Sequence, residues 1–237
     1  MLRSLSNNMS VGPIALSVAS ATIAGTAIAG PVWELDYTED AGQLAGSAQI
    51  ITSSLAPMIN IYGMLSTGFV TSDYVDMYQI EITAPTMVSI STAGGGGGSA
   101  SFDSQLFIFK RKGNGNNVRA LAMRANNDAS ATDHGSRLGD ENDPSVGYTV
   151  LTRGFYYLAI TGVGTTAVDH SNSPIWSDLS APGLTVSGFE RALGDWTGQG
   201  QVGEYHIRLL AVGGGAIPAP GAIALLGLAG LVKRRRR

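Results

Sequence analysis

The chain has 237 residues and no cysteine, and it carries 18 acidic side chains against 15 basic ones. Disulfides, thiolate metal ligands and a cysteine nucleophile are therefore excluded. Arg3 and the block 233–237 hold six of the basic residues, so residues 30–215 carry 9 basic against 18 acidic side chains, a net charge of −9. An acidic body of this kind excludes a basic nucleic-acid-binding surface and indicates an acidic, well-solvated exterior.

The amino terminus has the three parts of a secretory signal peptide. Arg3 precedes an apolar stretch, residues 11–28, which ends in Ala27-Ile28-Ala29. A positive start, an apolar middle and an Ala-x-Ala site predict cleavage by signal peptidase after Ala29. An uncleaved anchor is the alternative. Either outcome exports the rest of the chain, and we assign residues 1–29 to the signal peptide.

The exported body, residues 30–215, consists of short strand-like runs separated by turn residues. Period-2 alternation of apolar and polar residues, or β-branched and aromatic runs, identify them. The predicted strands are 42–52, 58–64, 75–83, 87–91, 106–109, 118–123, 154–161 and 205–212. Such a succession predicts an all-β fold, an antiparallel β-sandwich of jelly-roll type.

The segments between these runs are predicted as turns and loops. Five consecutive glycines at 94–98 are too flexible for a strand interior. Residues 110–117 are rich in glycine and asparagine and predict a hairpin turn. Residues 126–144 and 162–197 are predicted to be long polar loops.

Acidic and amide side chains suggest calcium as the one candidate cofactor. Six to eight hard oxygen ligands suit this ion, and the loop 126–144 is rich in them. A solvated acidic loop with Asx-turns, which needs no ion, is the alternative. The candidate ligands are Asp73, Asp76, Asp103, Asn126, Asn127 and Asp128, with Asp133, Asp140, Glu141 and Asp143 in the same loop.

Signatures of catalysis are missing from the sequence. His134, His170 and His206 are scattered without a metal-binding spacing, and no nucleophile elbow is present. Residues 198–203 match G-x-G-x-x-G, but a predicted strand follows where a dinucleotide fold needs a helix. We therefore expect a protein that is not an enzyme, and a secreted hydrolase is the least favoured hypothesis.

Two tryptophans, Trp176 and Trp196, fall within the predicted loop 162–197. In an exposed loop they could stack on sugar rings, although tryptophan serves more often as core or as a loop anchor. A calcium-dependent carbohydrate-binding module is accordingly the second functional hypothesis, with extracellular polysaccharide as its partner.

The carboxy-terminal tail, residues 216–237, has the order of a membrane-sorting signal. Pro218-Ala219-Pro220-Gly221 precedes the 12 residues 221–232, none of which is charged. These predict a short transmembrane helix, since a full span needs about 20 apolar residues. The basic block 233–237 is expected on the cytoplasmic side. The alternative is a buried helix with a frayed basic end.

These tail residues resemble a PEP-CTERM sorting domain, in the variant with Pro-Ala-Pro in place of Pro-Glu-Pro. The resemblance implies anchoring in the inner membrane and then cleavage near Pro218 to Gly221 by an exosortase-type protease. It also implies a bacterium that makes an extracellular polysaccharide matrix.

Five short segments of the body form a pattern. They are Asp76-Met-Tyr-Gln-Ile, Phe102-Asp-Ser-Gln-Leu-Phe-Ile-Phe, Asn126-Asn-Asp, Gly154-Phe-Tyr-Tyr-Leu-Ala-Ile and Gly203-Glu-Tyr-His-Ile-Arg-Leu. In this order they resemble the bacterial pre-peptidase C-terminal type of β-sandwich, and that resemblance implies a non-catalytic appendage or surface module. Taken together, the sequence predicts an exported, non-catalytic protein of the cell surface or extracellular matrix, processed through its carboxy-terminal signal.

Overall fold

The structure, a computed structural model, describes residues 41–51, 58–68, 72–84, 86–139, 149–179, 181 and 186–212. The predicted signal peptide with Ala27 and Ala29 lies outside these ranges. So does the tail with its motif 218–221. Both assignments stay predictions. Within the described ranges, no helix is long and apolar enough to span a bilayer.

The described residues form β-strands and two short 3₁₀-helices, and no α-helix occurs among them. The 3₁₀-helices are Gly94–Gly96 and Gly115–Asn117. The strands are β1 (Gln49–Ile50), β2 (Met58–Thr67), β3 (Ser72–Asp73), β4 (Val75–Ile82), β5 (Thr86–Ser91), β6 (Ser99–Ala100), β7 (Ser104–Lys112), β8 (Arg119–Asn126), β9 (Arg137–Leu138), β10 (Thr149–Leu151), β11 (Gly154–Gly162), β12 (Thr166–Val168), β13 (Val186–Ser187), β14 (Asp195–Thr197) and β15 (Gly203–Val212).

Two sheets make up the sandwich. The first has the order β1-β4-β11-β7-β8-β13, and the second has the order β10-β5-β15-β2-β3, with β6 and β9 at its side. Every long strand pairs antiparallel with its neighbours, and only the two-residue β1 pairs parallel, with β4. The predicted all-β, antiparallel architecture is confirmed, and its jelly-roll type stays a prediction.

The main core lies between the two sheets and is filled by alternate residues of both. Ile80, Leu106 and Leu158 enter it from the first sheet, and Ile61 and Ile207 enter it from the second. All five are at most 1% exposed. Because the side-chain period of a strand is two, this burial fixes the register of each long strand.

A second core covers the outer face of the first sheet. Phe107 and Phe109 project from β7 onto Trp176 and Trp196, which belong to the long segment 162–197. The first sheet is therefore buried on both faces. This explains why β7, predicted as a central strand from its continuous apolar run, has six consecutive buried residues.

A polar link crosses the main core. Asp76 on β4 is fully buried and accepts a hydrogen bond of 2.6 Å from the Tyr205 hydroxyl on β15. The hydroxyls of Tyr205 and Tyr78 are also hydrogen-bonded to each other. This arrangement ties the first sheet to the second through the interior, and it occupies Asp76 in a structural role.

Parts of several predicted segments differ from the structure. Within residues 42–51, the described part of the predicted strand 42–52, only Gln49–Ile50 forms a strand, because Gly42 has φ +67° and Ser47 N–H donates to the Leu44 carbonyl in a turn. The predicted loop 126–144 starts at the last residue of β8 and contains β9. The predicted loop 162–197 contains β12, β13 and β14, of which β12 and β14 form a two-stranded ribbon.

The outer face of the second sheet carries a histidine that responds to pH. The His206 ring stacks on Tyr62, with centroids 4.2 Å apart, and its Nε2 is hydrogen-bonded to Asn60 Oδ1 at 2.9 Å. Burial, and then the positive charge of Arg208, lower the pKa of His206 below its usual 6.5. The unfolded chain therefore binds the proton more tightly than the folded protein does.

We expect the stability contributed by neutral His206 to be present above pH 6.5 and to be lost as the pH falls below that value. Melting temperatures measured on both sides of pH 6.5 should drop less in His206→Gln than in the parent protein. His170→Gln, a change of an exposed histidine, is the control and should keep the parent dependence. An unchanged pH profile in His206→Gln would refute the assignment.

Candidate metal centre

Two strand ends bring the candidate ligands together. Asp103 directly precedes β7, whereas Asn127 and Asp128 directly follow β8. Leu106 of β7 lies opposite Asn126 of β8 in the antiparallel register. The start of one strand and the end of the other therefore share one edge of the sheet.

The loop after β8 adds a histidine to this pair of carboxylates. His134 Nδ1 lies 3.2 Å from Asp128 Oδ1 and 4.0 Å from Asp103 Oδ2. One ligand atom from each of the three residues can be chosen so that all lie within 4.8 Å of one another. The side chains of Asp103 and Asp128 are 26% and 13% exposed, and that of His134 is 65% exposed. The carboxylates are thus the more buried side of the cluster, and the imidazole is its solvent-facing side.

Asn127 lies beside the cluster with its amide nitrogen towards Asp128. Its Nδ2 donates to Asp128 Oδ2 at 3.1 Å, and the residue is only 9% exposed. Its Oδ1 is buried without a hydrogen-bond partner among the described residues, and the same is true of Asp103 Oδ1. A buried acceptor without a partner lowers the stability of the folded protein by about 1–3 kcal/mol. A cation or a hydrogen-bond donor near these two oxygens would remove that cost.

Backbone contacts hold Asp103 in place. Its carbonyl accepts a 2.9 Å hydrogen bond from Val163 N–H, and its own N–H donates to Gln201 Oε1 at 3.0 Å. Ser104 N–H, one residue later, donates to the His134 carbonyl at 3.2 Å. The position of the first ligand is thus fixed independently of any ion.

Buried polar groups hold the loop that carries the other ligands. Asn126 Nδ2 donates to the Asp128 carbonyl at 3.1 Å, and Asn126 Oδ1 accepts from Arg137 N–H at 2.7 Å. Ser136 Oγ donates to the Asn126 carbonyl at 3.0 Å. Gly135 packs so closely that a Cβ there would lie 2.6 Å from Ala93 Cα. The loop therefore has one well-determined path over the strand ends.

The two carboxylates repel each other in this setting. Burial raises the pKa of Asp103, the charge of Asp128 raises it further, and His134 lowers it. Asp103 therefore contributes stability below its usual value of 3.8 that is lost as the pH rises through its raised folded-state pKa. At neutral pH the cluster holds closely spaced negative charge, which a bound cation would neutralise.

The predicted calcium ligands separate into different places. The structure brings Asp103 and Asp128 together, with Asn127 beside them. Asp73 lies on β3, just before β4, at the same end of the first sheet as the cluster. It is not part of the cluster, because β11 lies between β4 and β7. Its Oδ1 accepts a hydrogen bond from Val75 N–H at 3.3 Å. Asp76 does not join the cluster because its carboxylate lies in the main core, and Asn126 is used to position the loop.

The remaining acidic candidates of the loop also lie outside the cluster. Asp133 Oδ1 accepts from Gly135 N–H at 3.0 Å and so shapes a turn. Asp140, Glu141 and Asp143 lie outside the described residues.

Sequence reasoning missed His134 because no metal-binding spacing marks it. The available signal was its place in the same loop as Asp128, six residues further along the chain. That proximity becomes meaningful only once the β7–β8 register places Asp103 at the same edge.

The tryptophans predicted for sugar stacking are packing residues. Trp176 is 6% exposed, lies against Phe107 and Phe109, and donates from Nε1 to the Val186 carbonyl at 3.2 Å. Trp196 is half-buried against the same phenylalanines, and its Nε1 donates to the Gln43 carbonyl at 2.7 Å. The expectation of an exposed Trp176 is wrong, because its ring fills the second core.

Comparison with known proteins finds a similarity over part of the sandwich. Residues 74–162 match the sequence profile of the bacterial pre-peptidase C-terminal domain, a family typical of secreted proteins. A crystal structure of the pre-peptidase C-terminal domain of collagenase from Bacillus anthracis is similar over 68% of this chain and 92% of that chain, with 12% identity and a TM-score of 0.32. No protein of curated function matches the sequence.

Proposed function

We propose that this chain is an exported bacterial protein whose β-sandwich is a non-catalytic module of the pre-peptidase C-terminal type, displayed at the cell surface or in the extracellular matrix. One observation carries the proposal. The segment 74–162 matches a family typical of secreted proteins. The same segment forms every long strand of the first sheet and contains Asp103, Asp128 and His134.

In this proposal the role of the metal cluster is structural. Asp103 belongs to the start of β7, whereas Asp128 and His134 belong to the loop that follows β8. An ion bound by all three would join the loop to the strand edge and replace the repulsion between the carboxylates by attraction. Because an ion that binds only the folded state adds its binding free energy to stability, such a site stabilises a chain that has no disulfides.

We propose further that the tail 216–237 is the sorting signal of this module. Signal peptidase would cut after Ala29, the apolar run 221–232 would hold the protein in the inner membrane, and an exosortase-type protease would cut near the Pro-Ala-Pro-Gly motif. The order of motif, apolar run and basic block supports this reading. Three glycines, residues 213–215, separate β15 from this tail in the sequence.

The intact mass of the protein recovered from culture medium and from membranes tests this proposal. We expect a mature species that begins at Gly30 and ends within the motif 218–221. A variant with Pro218, Pro220 and Gly221 all replaced by alanine should instead accumulate in membranes with Arg237 retained.

Ala222→Leu, an apolar change just beyond the motif, is the matched control and should be processed as the parent is. A parent protein found only in membranes and still carrying Arg237 would refute the sorting signal. A protein recovered only from the cytoplasm with residues 1–29 intact would refute export itself.

A further inference from the structure

The cluster of Asp103, Asp128 and His134 combines two carboxylates with one imidazole. Calcium takes six to eight oxygen ligands and is poorly served by a nitrogen. Zinc takes imidazole nitrogen and carboxylate oxygen together, commonly through three protein ligands and one further position. The presence of His134 therefore changes which ion the cluster suits.

We propose that this cluster binds zinc. One carboxylate oxygen of Asp103, one of Asp128 and Nδ1 of His134 are three ligands, and the side-chain oxygen of Asn127 or a water is the fourth. The inference deepens the structural role proposed for the cluster above, since it names the ion. It is independent of the sorting signal and of where the protein is exported.

The distances suit one small ion. Ligand atoms at about 2.0–2.1 Å from a tetrahedral zinc lie roughly 3.3–3.4 Å from one another. His134 Nδ1 is 3.2 Å from Asp128 Oδ1 and 4.0 Å from Asp103 Oδ2. All three ligand atoms lie within 4.8 Å of one another, so the exposed imidazole and the carboxylates would move closer together around the ion.

Asn127 supplies an observation independent of the charged residues. Its side-chain oxygen is buried and lacks a partner among the described residues, although its Nδ2 already contacts Asp128. A half-turn of the amide would exchange the two atoms and place the oxygen on the side of the carboxylates. Asp103 Oδ1 is a second buried oxygen that lacks a partner among the described residues, and an ion bound through this oxygen instead of Oδ2 would supply one.

The chemistry also argues against the cluster as a plain ion pair. A protonated His134 would offer one Nδ1–H, which can satisfy one oxygen at a time, and Asp128 Oδ1 is the nearer acceptor. Asp103 would then keep its negative charge beside that of Asp128. A divalent ion contacts both carboxylates together and neutralises both.

Zinc titration of the chelator-treated protein, recovered from cells in its mature form, tests the inference. Isothermal titration calorimetry should give one zinc per chain, and zinc should raise the melting temperature more than the same concentration of calcium. His134→Gln should weaken zinc binding by about 100-fold, at the upper end of the losses seen even when only a supporting residue of a site is removed.

Two further variants separate loss of the ligand from loss of the fold. Asp103→Asn should abolish the zinc response without lowering the melting temperature of the metal-free protein, because burial and Asp128 already disfavour the charge it removes. Glu204→Gln removes an exposed carboxylate near the same end of the sandwich, where the Glu204 carbonyl accepts from Ser101 N–H, and should leave zinc binding unchanged. Replacement of zinc by cobalt should give visible ligand-field bands that His134→Gln loses.

Three outcomes would overturn the inference. Equal zinc binding by the parent and His134→Gln would mean that the ion binds elsewhere on the surface. Tighter binding of calcium than of zinc, unaffected by His134→Gln, would leave a structural cation site but assign it to calcium. Binding of neither ion would remove the metal site altogether, while the proposed export and sorting would stand on the mass measurement.

Discussion

Replacement of Phe107 by alanine should lower the free energy of unfolding by about 3–5 kcal/mol. The ring is 1% exposed, and its centroid lies 5.2 Å from those of both Trp176 and Trp196. Together with Phe109, it is the ring through which β7 holds the segment 162–197 against the first sheet. Its removal would leave a cavity between two large rings that are fixed by their own indole hydrogen bonds, so the site can collapse only in part.

Urea denaturation followed by tryptophan fluorescence would measure this effect. Phe189→Ala is the control, because that side chain is 82% exposed and its loss should change stability by no more than about 0.5 kcal/mol. Equal midpoints of urea unfolding for the two variants would contradict the second core, because Phe107 would then contribute no more to stability than an exposed ring does.

Tyr205→Phe should destabilise the protein by about 1.5–3 kcal/mol, because a buried carboxylate loses a charge-assisted hydrogen bond. The hydroxyl is 2.6 Å from Asp76 Oδ2, and both residues are buried, so solvent is poorly placed to replace the lost hydrogen bond. The matched control is Tyr62→Phe on the outer face of the same sheet. Tyr62 is 41% exposed, and its stacking on His206 does not need the hydroxyl.

A double-mutant cycle makes the same test specific to the pair. Asp76→Asn removes the charge with little change of shape, and the combined variant should cost less than the sum of the single changes by about 0.5–3 kcal/mol. Strictly additive changes in the free energy of unfolding would mean that Tyr205 and Asp76 act independently. That result would contradict the polar link between the sheets.

Much of the sandwich could be predicted because its strands have a buried and a less buried face. The predicted strands 75–83 and 205–212 correspond to β4, Val75–Ile82, and β15, Gly203–Val212. Alternation identifies such strands since one face must avoid water. The strand at 42–52 failed because a positive φ at Gly42 and the following turn depend on contacts that alternation does not report.

The second core could not be predicted because its parts have no local signature. Trp176 follows β7 in the sequence and belongs to no periodic pattern, so it becomes buried only when the segment 162–197 folds over the outer face of the first sheet. A polar, glycine-rich stretch of this length predicts a loop on composition alone. The rings it contains are anchored by tertiary contacts with Phe107 and Phe109.

Of the candidate site, the two carboxylates could be predicted from the sequence and the histidine could not. Asp103 and Asp128 could be grouped because a hairpin was predicted between them, which places both at one end of the sheet. Asp76 does not lie with them, and the alternation of β4 already indicates this, because Asp76 shares the core-facing side of the strand with Tyr78, Ile80 and Ile82. His134 escapes prediction because no metal-binding spacing marks it and its loop has no fixed periodicity.

The position of β15 bears on how this protein would respond to mechanical load. The strand is hydrogen-bonded along Gly203 to Leu210 with β2 and along Arg208 to Val212 with β5. The chain leaves the described part of the fold at Val212, the carboxy-terminal end of this inner strand. A pull from beyond that point therefore loads the ladder with β5 first, at Ala211 and Val212, and then both ladders from Leu210 inwards. The load enters an inner strand of the second sheet, so unfolding from this end requires two ladders to separate instead of one edge strand to detach.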